Sequence, residues 1–316
     1  MWSVSGSSGE EDEALQPAYS SQGSVIVHNI AKDLRTVLQL PTDDLPFKSF
    51  HIPSRVVTSP LHFLYLTAYF RSSIPSLALH NRTFFIHRTF LSHPIPPPLQ
   101  SALSTCALST LHSPSTFSIL ASHLRTLIAS SYTTFYSPTA ILHSVQALII
   151  FQTIRLLSSD HQHIFDAETD FLRLNKWTIT LQTAYFSLPS PSTSYAEWIL
   201  KESSRRTILT SVLLRSLYCT TKDGYTELVP LLGSLPVSLN GGLWEMDGEE
   251  GEWEPSWGEE LGTYWEYVVR WSKGVVGGEG REKDDFERVL LCLEEDGRVG
   301  DAGSELLRSV RSGGFC

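Results

Sequence analysis

Apolar residues recur at helical spacing along most of this chain. Residues 25–40 place apolar side chains on one face of a helix, such as Ile26, Ile30 and Leu34. Pro41 then ends the pattern, which predicts a short helix or a docking arm. No stretch has the strict alternation of apolar and polar residues between turn signals that is typical of a strand. The pattern therefore predicts an all-α protein, built as an irregular multi-helix bundle or array.

Serine-proline pairs indicate where several helices begin. Serine is a favoured N-cap, and proline is tolerated in the first helical turn because the N–H groups there lack intrahelical acceptors. The pairs are Ser59-Pro60, Ser113-Pro114 and Ser137-Pro138, and they predict helices over residues 60–71, 115–135 and 138–158. The third of these helices is apolar nearly all round, which predicts a central place in the core.

Two more long helices are expected over residues 161–186 and 194–219, separated by a proline-containing turn. Asp160 is a candidate N-cap for the first of them. The proline run at 94–98 is incompatible with a helix interior, so we expect an extended connector and a helix that begins near Leu99.

The character of the sequence changes after Pro236, where Gly, Glu and Trp dominate. Helical spacing returns at 259–271, and two short helices are expected over 283–296 and 300–312. Three regions follow from these patterns. Residues 1–24 form a disordered acidic and Ser-rich tail, residues 25–275 form a helical domain, and residues 276–316 form short C-terminal helices.

The N-terminus carries Glu10, Glu11, Asp12 and Glu13 where a signal peptide would have positive charge and then an apolar core. The longest strongly apolar run, 145–151, is far shorter than the roughly 20 residues that cross a bilayer. We therefore expect a protein that stays inside the cell and has no membrane segment.

Charge is distributed unevenly along the chain. The net charge of −10 divides into −5 for residues 1–45, +6 for 46–240 and −11 for 241–316. Nucleic-acid binding needs Lys and Arg gathered on one surface, and Arg205-Arg206 is the one basic doublet of the central region. Direct, sequence-specific DNA binding is therefore not expected.

The patterns of catalytic and metal sites are absent from the sequence. The four cysteines are scattered, Asp43-Asp44 and Asp284-Asp285 do not complete a D-D-x-x-D motif, and His161 and His163 lack i, i+4 spacing and a carboxylate. No serine, cysteine or lysine stands in a nucleophile motif. No catalytic, cofactor-binding or metal-ligating residue is assigned, no cofactor is expected, and we expect a protein that is not an enzyme.

Acidic and aromatic residues alternate from Trp244 to Trp271. This composition is typical of activation segments that dock onto coactivators. It is also compatible with a buried loop and an amphipathic helix that use Trp as core, and we favour this structural interpretation.

Four stretches of the chain resemble the middle homology region of fungal zinc-cluster transcription factors. They occur in the family's order across about residues 50–275. They are Phe85-Ile86-His87-Arg88 with the helix from Leu99, the run 145–157 containing V-Q-A-L-I-I-F-Q-x-I-R-L-L, the run 198–207 with W-I-L-K-E-S-S-R-R-T, and Leu235-Pro236 through Leu243-Trp244-Glu245. The third stretch is the most specific.

The resemblance implies a regulatory domain in the nucleus that acts through protein partners such as a transcription factor or coactivator. It suggests a metabolic or secondary-metabolite gene set, and it leaves a homo-oligomer open. The six clustered cysteines of the family's zinc-cluster module are missing, so either the sequence is a piece of a longer protein or the chain acts through a partner. A helical enzyme or small-molecule-binding protein, and a decayed copy, remain as alternatives.

Within the most specific motif, Glu202 lies three and four residues before Arg205 and Arg206. These are the spacings at which helical side chains meet. We expect Glu202 to be a structural ion-pair partner of Arg205 or Arg206 on a buried helix face rather than a catalytic acid.

Overall fold

The computed structural model describes residues 60–92, 94–246, 253–254, 260–267 and 286. Within these ranges the chain is helical with very little strand, so the prediction of an all-α fold is confirmed. The α-helices are α1 (Pro60–His80), α2 (Pro97–Thr110), α3 (Thr116–Thr134), α4 (Pro138–Leu156), α5 (His161–Phe186), α6 (Tyr195–Asp223) and α7 (Val229–Ser234). Short 3-10 helices cover Arg88–Leu91 and Gly241–Glu245.

Helix α4 lies at the centre, as its sequence predicts. It packs against α1, α2, α3, α5 and α6, and every residue from Ile141 to Arg155 is buried. By length and composition alone this helix could cross a membrane, but 83% of its apolar window is buried within the fold. That is typical of the core helix of a globular domain.

The predicted long helices are present, with small changes at their ends. Asp160 caps α5 by accepting a hydrogen bond from the backbone N–H of Gln162, as expected. Ser194 caps α6, which ends at Gly224 in a left-handed conformation (φ 79°) that glycine adopts without strain. The cap of α3 is Ser115 rather than Ser113.

Two helices extend further than the sequence predicts, and both contain proline. Helix α1 does not end at 71 but continues through Pro75 to His80, because Ile74 and Leu77 are buried and their packing offsets the hydrogen bond that proline removes. Helix α2 begins at Pro97 rather than near Leu99. Its prolines occupy the first turn, where the missing N–H groups have no helical acceptor.

Two short strands lie among the described residues, although no strand alternation is recognisable in the sequence. Strand β1 (Pro236–Ser238) pairs antiparallel with β2 (Leu261–Thr263). Residues 261–263 were expected in a helix, but they are extended, and the helical turn begins at Tyr264. The three-residue strands are too short for alternation to be recognisable in the sequence.

The predicted helices over 25–40, 283–296 and 300–312 lie outside the described residues, as does the N-terminal tail. Phe286 is the one described residue of the C-terminal region.

Candidate functional site

Glu202 on α6 is the centre of a buried polar cluster. Its carboxylate oxygens each accept a hydrogen bond, one from Nε of Arg206 at 2.8 Å and one from Nε of Arg205 at 2.8 Å. The second oxygen also lies 2.7 Å from a terminal nitrogen of Arg205. Glu202 is 2% exposed, and both arginines are buried as well. The ion pair expected from the helical spacing is therefore present, with both arginines rather than one.

Burial by itself raises the pKa of the Glu202 carboxyl. The two guanidinium groups beside it outweigh burial and hold the pKa below its usual value. Glu202 is thus a carboxylate at neutral pH with both oxygens occupied. A group in this state is unsuited to serve as a general acid, because it has no proton to give, and its lone pairs are already engaged.

Arg206 connects α6 to distant parts of the chain. Its guanidinium carbon lies 3.9 Å from the ring centre of Trp244 and 4.6 Å from that of Phe286. A terminal nitrogen also donates to the carbonyl oxygen of Phe84 at 3.3 Å. Stacking between aromatic rings is a favourable environment for a planar guanidinium. Arg206 therefore holds the Leu-Trp-Glu segment and the chain before the first 3-10 helix against α6.

His87 also contacts Trp244. Its Nδ1 accepts the backbone N–H of Thr89 at 3.3 Å, so the proton of the neutral ring lies on Nε2, which donates to the carbonyl oxygen of Trp244 at 3.0 Å. The pKa of His87 is lowered to about 4, chiefly by burial and also by the positive charges of Arg88 and Arg206, although the hydrogen bond to Trp244 acts in the opposite direction. The ring is therefore uncharged at neutral pH.

Gln146 brings the central helix α4 into this arrangement. Its amide nitrogen donates to the carbonyl oxygen of Phe85 at 3.1 Å and to the hydroxyl oxygen of Thr207 at 3.2 Å. One fully buried side chain thus joins α4, α6 and the segment before the first 3-10 helix. A buried amide that satisfies a backbone carbonyl fixes the position of that backbone.

An aromatic cluster continues the contact at the N-terminal end of α6. Trp198 and Trp244 are buried together, and Tyr195 stacks on Trp198 with ring centres 5.9 Å apart. The Tyr195 hydroxyl lies 2.9 Å from the carbonyl oxygens of both Leu243 and Met246. The Leu-Trp-Glu segment is therefore bound to α6 by aromatic packing as well as by the arginine.

We call the set of Gln146, His87, Glu202, Arg206 and Trp244 the Arg206 junction. Each of the four motifs that carry the family resemblance contributes a residue to it. Motifs separated by up to about 160 residues in sequence therefore meet in one buried contact. Every polar contact in the junction positions helices or segments, so its evident role is to fix the architecture of the domain.

The other residues considered as candidates have structural positions. His161 is the first residue of α5, and His163 stacks on Phe117 with ring centres 3.5 Å apart. Cys106 is buried, and burial raises the pKa of its thiol; Cys219 is half-buried. Across the described ranges, His, Cys, Asp and Glu form no group of three that could hold a metal ion. Asp43-Asp44, Asp284-Asp285, Cys292 and Cys316 lie outside those ranges.

The described aromatic residues of the acidic tract pack into the fold. Trp244, Tyr264 and Tyr267 are buried, and half-buried Trp253 lies 5.9 Å from Trp198 between ring centres. These positions support the structural interpretation of this part of the tract. Trp257 and Trp271 lie outside the described residues.

Two cavities flank Arg88. A smaller one of about 220 Å3 is lined by His80, Arg82, His87 and Arg206 among others. A larger one of about 670 Å3 lies between the first 3-10 helix and the start of α6, where Phe90, Tyr195, Ile199 and Met246 form its apolar wall. Sequence patterns gave no indication of either cavity, because their walls come from segments more than 100 residues apart.

Comparison with known proteins agrees with the motif resemblance at a coarser level. The chain is 28% identical over 249 residues to a protein from Penicillium aethiopicum named transcription factor gsfR2. The match covers 73% of this chain and 59% of that relative, so the chain spans less than two thirds of the relative's length. No family model and no solved structure matches. The homology to a fungal transcription factor supports a role in transcription regulation and is consistent with a protein that is not an enzyme.

Proposed function

We propose that this chain is a regulatory domain of the type found in the middle homology region of fungal zinc-cluster transcription factors. It acts in the nucleus through contacts with protein partners and controls a metabolic or secondary-metabolite gene set. Residues 25–275 make up this domain. The domain reads no DNA sequence itself, and DNA targeting comes from a partner or from a module outside this sequence.

The observation that carries the proposal is the meeting of the four motifs at the Arg206 junction. A chance resemblance gives no reason for residues of different motifs to bond to one another. Here the residues that define the motifs bond to one another, as in the pairing of Gln146 with Thr207 and the stacking of Arg206 on Trp244. The motifs thus describe one three-dimensional unit, and the relative that shares 28% identity is named a transcription factor.

Purification of the full chain from fungal nuclei tests the proposal, with bound proteins identified by mass spectrometry. We expect the chain to be enriched in the nuclear fraction together with a zinc-cluster protein or a coactivator. The chain carries an affinity tag, and a matched purification from cells without the tagged chain is the control. The proposal is contradicted if the chain is excluded from nuclei, or if neither class of protein is enriched over the control.

The larger cavity supports a second candidate, a small-molecule-binding protein built on a helical scaffold. A volume of about 670 Å3 lies within the range of typical ligand sites, and apolar walls with a few polar groups are the usual composition of such sites. Isothermal titration with a panel of fungal metabolites tests this candidate. Saturable binding that Ile199→Trp abolishes would favour it, whereas binding that this variant leaves unchanged would place the ligand elsewhere.

A further inference from the structure

Helix α5 carries an apolar stripe on its solvent-facing side. Phe165, Leu172 and Ile179 follow one another at intervals of seven residues, and they are 60%, 74% and 43% exposed. Thr169, Lys176 and Thr183 lie between and beyond them on the same face. An interval of seven residues is close to two helical turns, so the three apolar side chains form a line along the helix.

The stripe lies directly opposite the face that packs into the core. The buried residues of α5 are Ala167, Asp170, Leu174, Trp177, Thr178, Leu181 and Tyr185. They lie on the opposite side of the helix from Leu172 at 100° per residue. A helix at the edge of a globular domain ordinarily has a polar outer face. The stripe exposes roughly 300 Å2 of apolar side chain, which is at the lower end of the largest apolar patches on monomeric proteins, and such patches are often functional.

We propose that this stripe binds the same stripe of a second copy of the chain in antiparallel orientation. Leu172 lies midway between the other two apolar residues, so an antiparallel pair places Leu172 against Leu172 on the two-fold axis. Phe165 of each copy then meets Ile179 of the other. A two-fold interface requires a surface that is complementary to itself, and this spacing provides one.

The charges along α5 select the antiparallel orientation. Glu168 and Arg173 form ion pairs within the chain, with Lys222 and Asp170 respectively, so the orientation depends on Asp166 in the first half of the helix and Lys176 in the second half. In an antiparallel pair Lys176 comes beside Asp166 of the second copy. In a parallel pair like charges would face each other, which disfavours that orientation.

The size of the surface sets the expected affinity. Helix α5 has 26 residues and is therefore about 39 Å long. A single pair of helices buries an area at the low end of specific interfaces. We therefore expect a reversible dimer with a dissociation constant on the order of 10 µM.

Sedimentation velocity of the full chain from about 1 to 100 µM, a range that brackets the expected constant, tests the proposal. The wild-type chain should change from monomer to dimer across this range. Leu172→Glu should weaken dimerisation about 100-fold, because two carboxylates would meet on the two-fold axis. Leu111→Glu is the matched control, since Leu111 is 77% exposed at the turn after α2 and should leave dimerisation unchanged. A wild-type chain that is monomeric throughout, or an equal effect of both variants, would overturn the proposal.

Charge reversal tests the orientation by a different route. Lys176→Glu and Asp166→Lys should each weaken the dimer about tenfold, since each replaces two attractive contacts per dimer by repulsion. The double variant should restore dimerisation, because the pair is re-formed with the charges exchanged. If the double variant melts like the wild type but does not dimerise like it, contact between Lys176 and Asp166 is ruled out.

Disulfide cross-linking distinguishes the two orientations directly. In a chain whose Cys219, Cys292 and Cys316 are replaced by Ser, Leu172→Cys should cross-link two copies. Phe165→Cys should not, because the two positions lie roughly 21 Å apart along an antiparallel pair, as 14 residues of helix. Efficient cross-linking through Phe165→Cys would demonstrate a parallel pair and overturn the proposal.

Discussion

Replacement of Glu202 by Gln removes one negative charge from the Arg206 junction while preserving the size of the side chain. In the wild-type protein the carboxylate lies within 2.8 Å of both guanidinium groups, and all three side chains are buried. The amide of Gln can accept through one oxygen only. Arg205 and Arg206 would then retain two positive charges in the interior without a compensating carboxylate.

Removing one partner of a buried ion pair lowers the free energy of unfolding by about 3–5 kcal/mol. For a domain of this size a loss of 1 kcal/mol lowers Tm by about 2–4 °C. Glu202→Gln should therefore lower Tm by about 6–20 °C. The variant keeps the contacts of Tyr185 with Arg205 and of Trp244 with Arg206, so we expect the decrease in Tm to lie in the lower part of that range.

The assay is thermal unfolding followed by circular dichroism at neutral pH, with Glu168→Gln as the matched control. Glu168 pairs with Lys222 near the surface, where loss of a pair costs about 0–1 kcal/mol. The control should therefore melt within about 4 °C of the wild type. A Glu202→Gln protein whose Tm matches that of the control would refute the reasoning that the junction is a buried, structural ion pair.

Three further outcomes are expected. Arg206→Lys keeps the charge but loses the planar group that stacks on Trp244, so Tm should fall by several degrees in the same unfolding assay. An unchanged Tm would show that the stacking contributes nothing to stability. Burial lowers the pKa of His87 and of His143 to about 4, so the stability that the neutral rings contribute is present above about pH 6.5 and is lost as the pH falls towards 4. The Tm of the wild type should therefore decrease as the pH is lowered from 6.5 to 4, and the Tm of His87→Gln should decrease less steeply. Purified full chain should bind duplex DNA weakly and without sequence preference in fluorescence anisotropy. Selective nanomolar binding at physiological salt would contradict the expectation that this chain does not read DNA sequence.

Local chemistry explains why most helices could be predicted from the sequence. Asp160 and Pro138 carry signals that act within one helical turn, and both helices begin where those signals lie. The apolar composition of α4 likewise predicts burial at the centre of the fold, and the helix is buried there. Glu202 and Arg206 could be paired from spacing alone, because helical geometry brings positions i and i+4 together.

The elements that could not be predicted depend on contacts between distant residues. Helix α1 continues through Pro75 because tertiary burial outweighs a local penalty that the sequence makes visible. Strands β1 and β2 pair across about two dozen residues and are too short to have a period of their own.

The contacts of the Arg206 junction within α6 could be predicted from the sequence, but its contacts between distant residues could not. Spacing on α6 identified the ion pair, but the stacking of Arg206 on Trp244 and the hydrogen bond from His87 to Trp244 cross 38 and 157 residues respectively. The signal that could have found them is the family resemblance, since His87 and Trp244 both stand in its motifs. A motif of buried polar and aromatic residues without nucleophile or metal spacing indicates contact with other motifs.

A tethered reporter assay tests the central claim, regulation of transcription by protein contact, most directly. The full chain is fused to a heterologous DNA-binding domain and expressed in a filamentous fungus whose reporter gene carries the matching binding sites. Reporter transcription should change at least about threefold relative to the DNA-binding domain alone, which corresponds to a free energy of only about 0.7 kcal/mol for partner recruitment. The effect should be lost with Glu202→Gln at a temperature where that variant is unfolded. A nuclear, folded fusion that leaves reporter transcription unchanged would contradict the account.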